Sequence, residues 1–355
     1  MVDRLPGDTK PVRAGEELDV KALAQYLRGK VEGAESGITL SQFPSGHSNL
    51  TYLVTAGSHE YVLRRGPLGP VPPKAHDMAR EYRVLEAIHP HFPEAPPVLL
   101  LCENPSIIGA VFFLMERRSG FILRSSIPEP IAAIPNYPAR ISEAFIRCLV
   151  RLHAIDVDKT GLLSLGKPEG FLERQVEGWA ERWQRAQTNE LTVMDEVIDW
   201  LRAYRPESGS PTLVHNDYKL DNVMLPLASV DRIEAVLDWE MTTVGDPLAD
   251  LGLTLCYWWW ANLPELRSSV APSITSQPGW FTREQVVSRY TELSGRDVSH
   301  VNYYEVLGIF KLAVILQQIY FRYRRGQTND QRFEDFGMRV NALAQLAGKL
   351  VEKAV

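Results

Sequence analysis

Residues 212–250 read TLVHNDYKLDNVMLPLASVDRIEAVLDWEMTTVGDPLAD. Short apolar runs alternate here with polar clusters; the runs are residues 213–214, 223–225 and 233–237. Such alternation is typical of brief strands that place polar side chains at their ends. Because ionisable groups recur in this stretch at spacings that a reaction would require, we predict that it is the catalytic centre.

The polar cluster HNDYKLDN, residues 215–222, carries groups suited to phosphoryl transfer. Asp217 can orient an attacking hydroxyl and accept its proton. Lys219 can lie against the transferring phosphate and offset its charge. Asn222, together with Asp238 at the end of the run EAVLD, can supply the oxygen ligands that magnesium prefers.

A purely structural interpretation of this cluster must be weighed against the catalytic one. An H-x-D sequence is common in turns, where the Asp carboxylate bonds nearby backbone amides. Here, however, His215 and Asp217 occur together with Asn222, Asp238 and the segment GDPLAD. This joint occurrence favours the catalytic interpretation.

The segment HNDYKLDN, followed sixteen residues after Asn222 by the Asp of VLDWE, resembles the aminoglycoside phosphotransferase and choline kinase superfamily. It is similar to protein kinases too. In that superfamily the loop reads H-x-D-x-x-x-x-N, which implies Asp217 as the base and Asn222 and Asp238 as magnesium ligands. The later GDPLADLG also resembles the family, which implies that Asp250 braces the catalytic loop and does not react.

The resemblance implies an α+β, two-lobed, protein-kinase-like fold with nucleotide bound between the lobes. A small N-lobe with an antiparallel sheet is expected over residues 1–116, and a larger, mainly helical C-lobe over residues 117–355. Residues 38–65 are β-rich with Gly and Ser at the bends, which predicts an antiparallel meander. The segments VLLLC and VFFLMER bring the sheet to about five strands, and DMAREYRVLEAIH predicts one packed helix.

The bend PSGHSNL, residues 44–50, occupies the position of the nucleotide-covering loop in the resembled family. This implies that the backbone around Ser48 and Asn49 contacts the nucleotide phosphates. A tight hairpin explains the same sequence equally well.

The resemblance implies further nucleotide contacts in the N-lobe. The family often carries a lysine that holds the α and β phosphates where this chain has Arg64, and Arg65 is the alternative contact. Arginine is not interchangeable with lysine, because its charge is spread over a planar fork. Glu81 matches the helix glutamate that pairs with this cation. Met115 lies in the hinge, residues 113–117, where adenine bonds to backbone.

Beyond residue 117, apolar residues at helical spacing predict a mainly helical region. The segment FTREQVVSRYTEL begins with a capping-box pattern at Thr282 and Gln285. Aromatic residues 257–260 follow the catalytic stretch and are candidates for an acceptor pocket, although packing explains them as well. The segment FRYRRGQ carries three arginines, for which a solvated helix end is the alternative interpretation; they are Arg322, Arg324 and Arg325.

Composition limits the function classes. The chain has 355 residues, a net charge of −6 and a pI near 5.8, so no broad basic surface for nucleic acid is expected. Its three cysteines lie far apart in apolar runs, which indicates reduced thiols and a cytoplasmic protein. The polar opening predicts no signal peptide, and Lys311 interrupts an apolar segment, so no membrane partner is expected. Oligomeric state is left open.

These observations predict an ATP-dependent, magnesium-assisted phosphotransferase acting on a small-molecule hydroxyl, with GTP as a possible donor in place of ATP. Within the superfamily, VLRR, REYRVL and LVHNDYKLDNVML look most like the kinase-like domain associated with acyl-CoA dehydrogenases. That resemblance suggests a hydroxyacyl-CoA or hydroxy acid as acceptor, with an aminoglycoside or choline-like alcohol as the alternative.

Two rivals belong to other classes. A catalytically silent nucleotide-binding module is expected to have lost the base or a metal ligand, whereas this chain keeps Asp217, Asn222 and Asp238. A protein kinase is expected to carry a multi-glycine nucleotide loop and an Ala-Pro-Glu segment after Asp238, and the sequence shows neither.

Overall fold

The computed structural model describes residues 8–44, 49–68, 76–124, 126–259, 274–328 and 330–354. The chain divides into two compact units. The first unit comprises Met1–Phe121, Met224–Ser229 and Ile233–Met241. The second unit comprises Ile122–Val223, Val230–Arg232 and Thr242–Val355. The stretch of residues 212–250 therefore contributes side chains to both units.

A five-stranded antiparallel sheet forms the first unit. Its strands are β1 Ile38–Gln42, β2 Leu50–Ala56, β3 His59–Arg65, β4 Val98–Cys102 and β5 Phe112–Glu116. Their order is β1-β2-β3-β5-β4. Tyr52 and Val54 of β2 share a core with Leu23 and Leu27 of helix α1, Val20–Leu27. The predicted meander and its two added strands are thus confirmed.

Helix α2, Met78–Ile88, packs against β4 and β5. It begins after Asp77, whose carboxylate accepts the backbone N–H of Arg80 at 2.9 Å and so satisfies a free donor of the first turn. Most of its buried face is apolar, but Glu81 also lies on it and is only 1% exposed. A charged side chain buried to this extent normally has a partner of opposite charge.

Two short two-stranded ribbons lie within residues 212–250, and the first of them is antiparallel. They pair β6 Thr212–Val214 with β9 Thr243–Gly245, and β7 Val223–Met224 with β8 Ala235–Val236. In β8, the backbone N–H of Val236 donates to the carbonyl of Glu94 at 2.8 Å. The ring of Trp239 then packs edge-on against Phe92, with centroids 5.9 Å apart. These contacts of Val236 and Trp239 hold the intervening Asp238 in the first unit.

Helices dominate the second unit. They are α3 Glu129–Ala132, α4 Tyr137–His153, α5 Phe171–Ala186, α6 Thr192–Ala203, α7 Leu248–Trp259, α8 Arg283–Ser294, α9 Val301–Arg324 and α10 Phe336–Ala354. The capping box predicted for α8 is confirmed, since Thr282 Oγ1 accepts the N–H of Gln285 at 3.2 Å and Gln285 Oε1 accepts the N–H of Thr282 at 2.7 Å.

Helix α9 runs through the core of the second unit against α7. A Cβ added at Gly252 of α7 would lie 2.3 Å from the carbonyl oxygen of Tyr304 in α9, so glycine is required where these helices cross. Among the described residues, α9 is the one helix with the length and composition to cross a membrane, and 67% of its most apolar window is buried inside the protein. Packing in this core is sufficient to account for its apolar side chains.

Candidate active site

The predicted catalytic loop, residues 215–222 of the second unit, is held by one buried carboxylate. Asp250, in the first turn of α7, accepts the backbone N–H of His215 through Oδ2 and that of Asn216 through Oδ1, each at 2.6 Å. The backbone of Asn216 has a φ of +64°, in the left-handed region that Asn tolerates better than most residues. Two charge-assisted bonds to consecutive amides therefore determine how the chain enters the loop.

Within this loop the structure brings three predicted site residues together. Lys219 Nζ donates to Oδ1 of Asp217 at 2.9 Å, and Asn222 Nδ2 donates to Oδ2 at 2.7 Å. The amide of Asn222 also donates to the backbone carbonyl of Asp217 at 2.9 Å. The carboxylate of Asp217 is half-buried, so it is held in one orientation while part of it stays accessible.

Lys219 lies over the ring of Tyr257, with Nζ 4.9 Å from the ring centroid. Burial disfavours its charged form, but Tyr257 and the carboxylate of Asp217 outweigh burial and raise the pKa of Lys219 above its usual range. Burial raises the pKa of Tyr257 to about 12. Lys219 is therefore a fixed positive charge beside Asp217, as charge neutralisation on a phosphate would require.

A second layer of contacts supports Asp250. His153, at the end of α4, lies with Nε2 3.2 Å from Asp250 Oδ2 and with Nδ1 2.8 Å from the hydroxyl of Tyr290. Burial lowers the pKa of His153, although Asp250 opposes the shift. His153 is therefore a neutral core partner of Asp250.

The first unit contains a separate cluster of charged residues. Arg64 Nη2, at the end of β3, lies 3.0 Å from Oδ1 of Asp238 and 3.2 Å from Oε1 of Glu81. Asp238 itself has a φ of +67°, a backbone conformation that Asp adopts more readily than bulky residues. The structure thus joins the three residues that the resemblance assigned to the nucleotide and its metal.

This cluster has more negative than positive charge. Burial disfavours the charged guanidinium, but Glu81, Asp238 and Glu240 outweigh burial and raise the pKa of Arg64. Burial raises the pKa of Glu81 to about 7, with Arg64 opposing the shift. Two buried atoms, Arg64 Nε and Glu81 Oε2, have no hydrogen-bond partner among the described residues. A polar ligand would satisfy such atoms.

The remaining predicted nucleotide contacts differ in their surroundings. Ser48 lies outside the described residues. Asn49 Nδ2 donates to Oε2 of Glu240 at 2.9 Å, and its Oδ1 lies 2.9 Å from Nδ1 of His76. Met115 is a buried residue of β5. Arg65, the alternative to Arg64, donates Nη1 to the carbonyl of Ile108 at 3.1 Å, and successive residues of a strand point to opposite faces.

The two predicted metal ligands each retain an oxygen for a cation. Asn222 uses its amide nitrogen for Asp217, and among the described residues none donates to its Oδ1. Asp238 accepts from Arg64 through Oδ1 only. These are hard oxygen ligands that suit magnesium, which keeps waters and phosphate oxygens in its shell. No group of three His, Cys, Asp or Glu side chains in the described chain could hold a metal alone.

Sequence reasoning missed two residues of these clusters. Glu240 bonds Asn49 and, through its carbonyl, Arg80 Nη1 at 2.8 Å. Its position in the run DWE, two residues after Asp238, was the available signal. Lys311 reaches Asn216 from α9, and its signal was a charge in the middle of an apolar helix.

Comparison with known proteins identifies the family of this chain. The model of the Phosphotransferase enzyme family (APH) matches residues 39–271, which is more than half of the chain. The chain belongs to this family. The matched range includes both the Arg64 cluster of the first unit and the Asp217 loop of the second, so the predicted family is confirmed.

This phosphotransferase resembles part of much longer proteins. Mouse acyl-CoA dehydrogenase family member 10 is 34% identical over 349 residues, which cover 98% of this chain and 32% of the mouse protein. Rat acyl-CoA dehydrogenase family member 11 is 35% identical over 349 residues, which cover 96% of this chain and 44% of the rat protein. The chain therefore spans between about a third and just under half of these relatives.

Solved structures confirm the kinase-like fold of the phosphotransferase. A Ralstonia eutropha JMP134 protein, provisionally described as an aminoglycoside phosphotransferase, is 29% identical with a TM-score of 0.80 and covers 95% of this chain and 99% of its own. Choline kinase from Cryptosporidium parvum is 15% identical with a TM-score of 0.64, covering 95% and 97%. A thermostable aminoglycoside phosphotransferase APH(4)-Ia variant, solved with AMP-PNP and hygromycin B, is 17% identical with a TM-score of 0.56, covering 91% and 98%.

Proposed function

We propose that this protein transfers the γ-phosphoryl group of ATP, with magnesium, to the hydroxyl of a small molecule. The observation that carries the proposal is the environment of Asp217, whose carboxylate is held between Lys219 and Asn222 on a loop braced by Asp250. A carboxylate, a fixed cation and a free amide oxygen on one rigid loop are the groups that phosphoryl transfer to an alcohol requires.

Each functional residue of the loop has its own role in the transfer. Asp217 accepts the proton of the acceptor hydroxyl while that oxygen forms its bond to the γ-phosphorus, and the bond from phosphorus to the bridging oxygen of the nucleotide breaks. The products are a phosphate monoester and ADP. Lys219 offsets the charge that the phosphoryl oxygens carry in the transition state. Asn222 and Asp238 are proposed as ligands for magnesium, which when bound neutralises charge on the phosphates.

The nucleotide contacts are proposed in the first unit. Arg64 already pairs with Glu81 and Asp238, which places a permanent cation beside a proposed metal ligand. In this arrangement Arg64 would hold the α and β phosphates, while Ser48 and Asn49 would contact phosphate and Met115 would lie at the adenine. The complex of APH(4)-Ia with AMP-PNP supports an adenine nucleotide as donor. GTP is the alternative donor.

For the acceptor we propose a hydroxyacyl-CoA or a hydroxy acid. The support is the similarity to two proteins named acyl-CoA dehydrogenase family members, which suggests that the phosphorylated compound carries an acyl group. Three exposed arginines at the end of α9 offer cations for the phosphates of CoA; they are Arg322, Arg324 and Arg325. An aminoglycoside is the second candidate acceptor, favoured by the Ralstonia eutropha structure.

The decisive experiment measures nucleotide consumption with matched acceptors. ATP and GTP are each offered with a hydroxyacyl-CoA, the corresponding acyl-CoA without the hydroxyl, choline and hygromycin B. We expect consumption with ATP and the hydroxyacyl-CoA only, and formation of a phosphate ester detected by mass spectrometry. Asp217→Asn should reduce turnover roughly 10²- to 10⁴-fold while ATP still binds.

Three results would revise the proposal. Phosphorylation of hygromycin B without any response to hydroxyacyl compounds would replace the acceptor but leave the phosphotransferase standing. Undiminished turnover in Asp217→Asn would remove this residue from the role of base. Nucleotide binding without transfer to any acceptor would favour a silent nucleotide-binding module.

A further inference from the structure

A buried lysine of α9 bonds to the loop that carries Asp217, and the proposed reaction does not use it. Lys311 lies in the middle of α9 and is 5% exposed. Its Nζ donates to Oδ1 of Asn216, the residue before Asp217, at 3.3 Å. No carboxylate lies within 4.0 Å of this ammonium in the described part of the chain. This single long hydrogen bond uses one of the three N–H donors of the ammonium.

Support of the loop through Asn216 does not by itself explain why residue 311 carries a positive charge. Asn tolerates a positive φ better than most residues, and Asp250 already binds the backbone of Asn216. Burying an ammonium is unfavourable by several kcal/mol unless it is well paired, and a glutamine could donate the same bond without a charge. Burial accordingly lowers the pKa of Lys311, with Asp250 and Asp217 opposing the shift.

Other cationic and aromatic groups accompany Lys311. Its Nζ lies 5.7 Å from the ring centroid of Trp179 in α5, and the guanidinium carbon of Arg182 lies 4.6 Å from the same ring. Arg182 is exposed, whereas Trp179 is buried. The exposed Arg182 and the buried Lys311 therefore both lie near the ring of Trp179.

We propose that Lys311 binds a carbonyl or carboxylate oxygen of the phosphate acceptor and thereby selects acyl-type acceptors over neutral and cationic alcohols. An anionic or carbonyl oxygen would supply a second acceptor for the ammonium besides Oδ1 of Asn216. The same positive charge disfavours an aminoglycoside or choline, whose cations would approach Lys311. This inference rests on the proposed function, because it assigns a specificity-determining residue to that reaction.

The test compares two substitutions at Lys311 with a matched control. Lys311→Met removes the charge at nearly constant volume, and Lys311→Gln also removes the charge but keeps a donor for Asn216. Lys353→Met removes a lysine from the exposed end of α10 and serves as the control. Each protein is assayed with a hydroxyacyl-CoA, the corresponding free hydroxy acid, and the neutral diol in which CH₂OH replaces the carboxyl group.

We expect both Lys311 variants to raise KM for the thioester, the free acid or both by at least about tenfold, the factor that corresponds to 1.4 kcal/mol. KM for the diol and for ATP should change less than about twofold by the same scale. A loss confined to the free acid identifies a carboxylate, and a loss on both compounds identifies the shared oxygen. Lys353→Met should behave as wild type.

Two outcomes overturn the proposal. One is an equal fall of kcat with acyl acceptors and diol that Lys311→Gln restores, since a loop support behaves in this way. The other is an unchanged KM for the acyl acceptors in both Lys311 variants. If the wild-type protein phosphorylates none of these compounds, the proposed function fails separately. Calorimetric titration of the free hydroxy acid then tests Lys311 directly, and binding that is absent or insensitive to Lys311→Met overturns the inference.

Discussion

Oδ1 of Asp250 accepts the backbone N–H of Asn216 at 2.6 Å, one residue before the proposed base Asp217. The other oxygen of Asp250 accepts the N–H of His215 at the same distance. The orientation of Asp217 therefore depends on a carboxylate that does not touch the reacting atoms, and this dependence can be measured.

Asp250→Asn tests whether the carboxylate of Asp250 orients the loop that carries Asp217. Its amide keeps one acceptor oxygen, so one of the two backbone N–H groups loses its partner and faces an NH₂ group. We expect the free energy of unfolding to fall by about 1–3 kcal/mol. Turnover should fall by roughly 10²-fold, the effect of a misplacement of about 1 Å at a reacting group. Asp195→Asn, at an exposed carboxylate of α6, is the control. Lost stability with unchanged turnover would limit Asp250 to a folding role.

His153 predicts how stability responds to acid. Its pKa is lowered in the folded protein, chiefly by burial, from an ordinary value of 6.5. The unfolded chain therefore binds a proton that the folded chain does not, so stability is present above pH 6.5 and is lost as pH falls below it, by about 1.4 kcal/mol per pH unit. In His153→Gln this slope should be shallower, measured by denaturant unfolding from pH 7.5 to 5. The exposed His91→Gln should retain the wild-type slope; equal slopes in both variants would contradict the assignment.

The ionisation of Glu81 should make stability fall as pH rises, which is the opposite of the effect of His153. Burial raises its pKa in the folded protein to about 7 from an ordinary 4.5. Its contribution to stability is therefore present below pH 4.5 and is lost as pH rises through 7. Relative to wild type, Glu81→Gln should gain stability as pH rises across this window. Glu86→Gln, at an exposed residue of the same helix, should run parallel to wild type.

Substitution of Arg64 should lower the free energy of unfolding more than substitution of its partner Glu81. Arg64→Gln leaves Glu81 buried beside Asp238 and Glu240 without their cation, and we expect a loss of about 3–5 kcal/mol at pH 8. Glu81→Gln leaves Arg64 with its 3.0 Å bond to Asp238, so the loss should be smaller. Urea unfolding of both variants under the same buffer compares them. A larger loss in Glu81→Gln would show that Arg64 is not the centre of this cluster.

Asp238→Asn tests the proposed metal ligand without disturbing the backbone, because Asn tolerates the φ of +67° at this position. We expect calorimetry to show at least about tenfold weaker ATP binding in magnesium, and a much smaller difference when EDTA removes the metal. Asp199→Asn, at an exposed residue of α6, provides the control. Equal weakening with and without magnesium would assign Asp238 to positioning Arg64 instead.

The sequence by itself determined the elements whose contacts are local. Alternation over residues 38–65 predicted the meander, and Thr282 and Gln285 predicted the capping box, because both depend on residues close in the chain. The Asp217 loop belongs to the same class. Asn222 is five residues from Asp217, so its bond to that carboxylate follows from the loop's short span. These spacings were also what allowed the family to be predicted.

Only the tertiary structure decided which distant residues meet. Arg64 bonds Asp238 across 174 positions, and Lys311 bonds Asn216 across 95. The alternation of a strand sets Arg64 and Arg65 on opposite faces, but it does not say which face meets the carboxylates. Likewise, the apolar sequence of α9 indicates a buried helix, but it does not indicate which residue its single lysine contacts. Such pairings result from how elements pack, because burial of apolar area is non-directional and leaves the partners of buried charges unspecified.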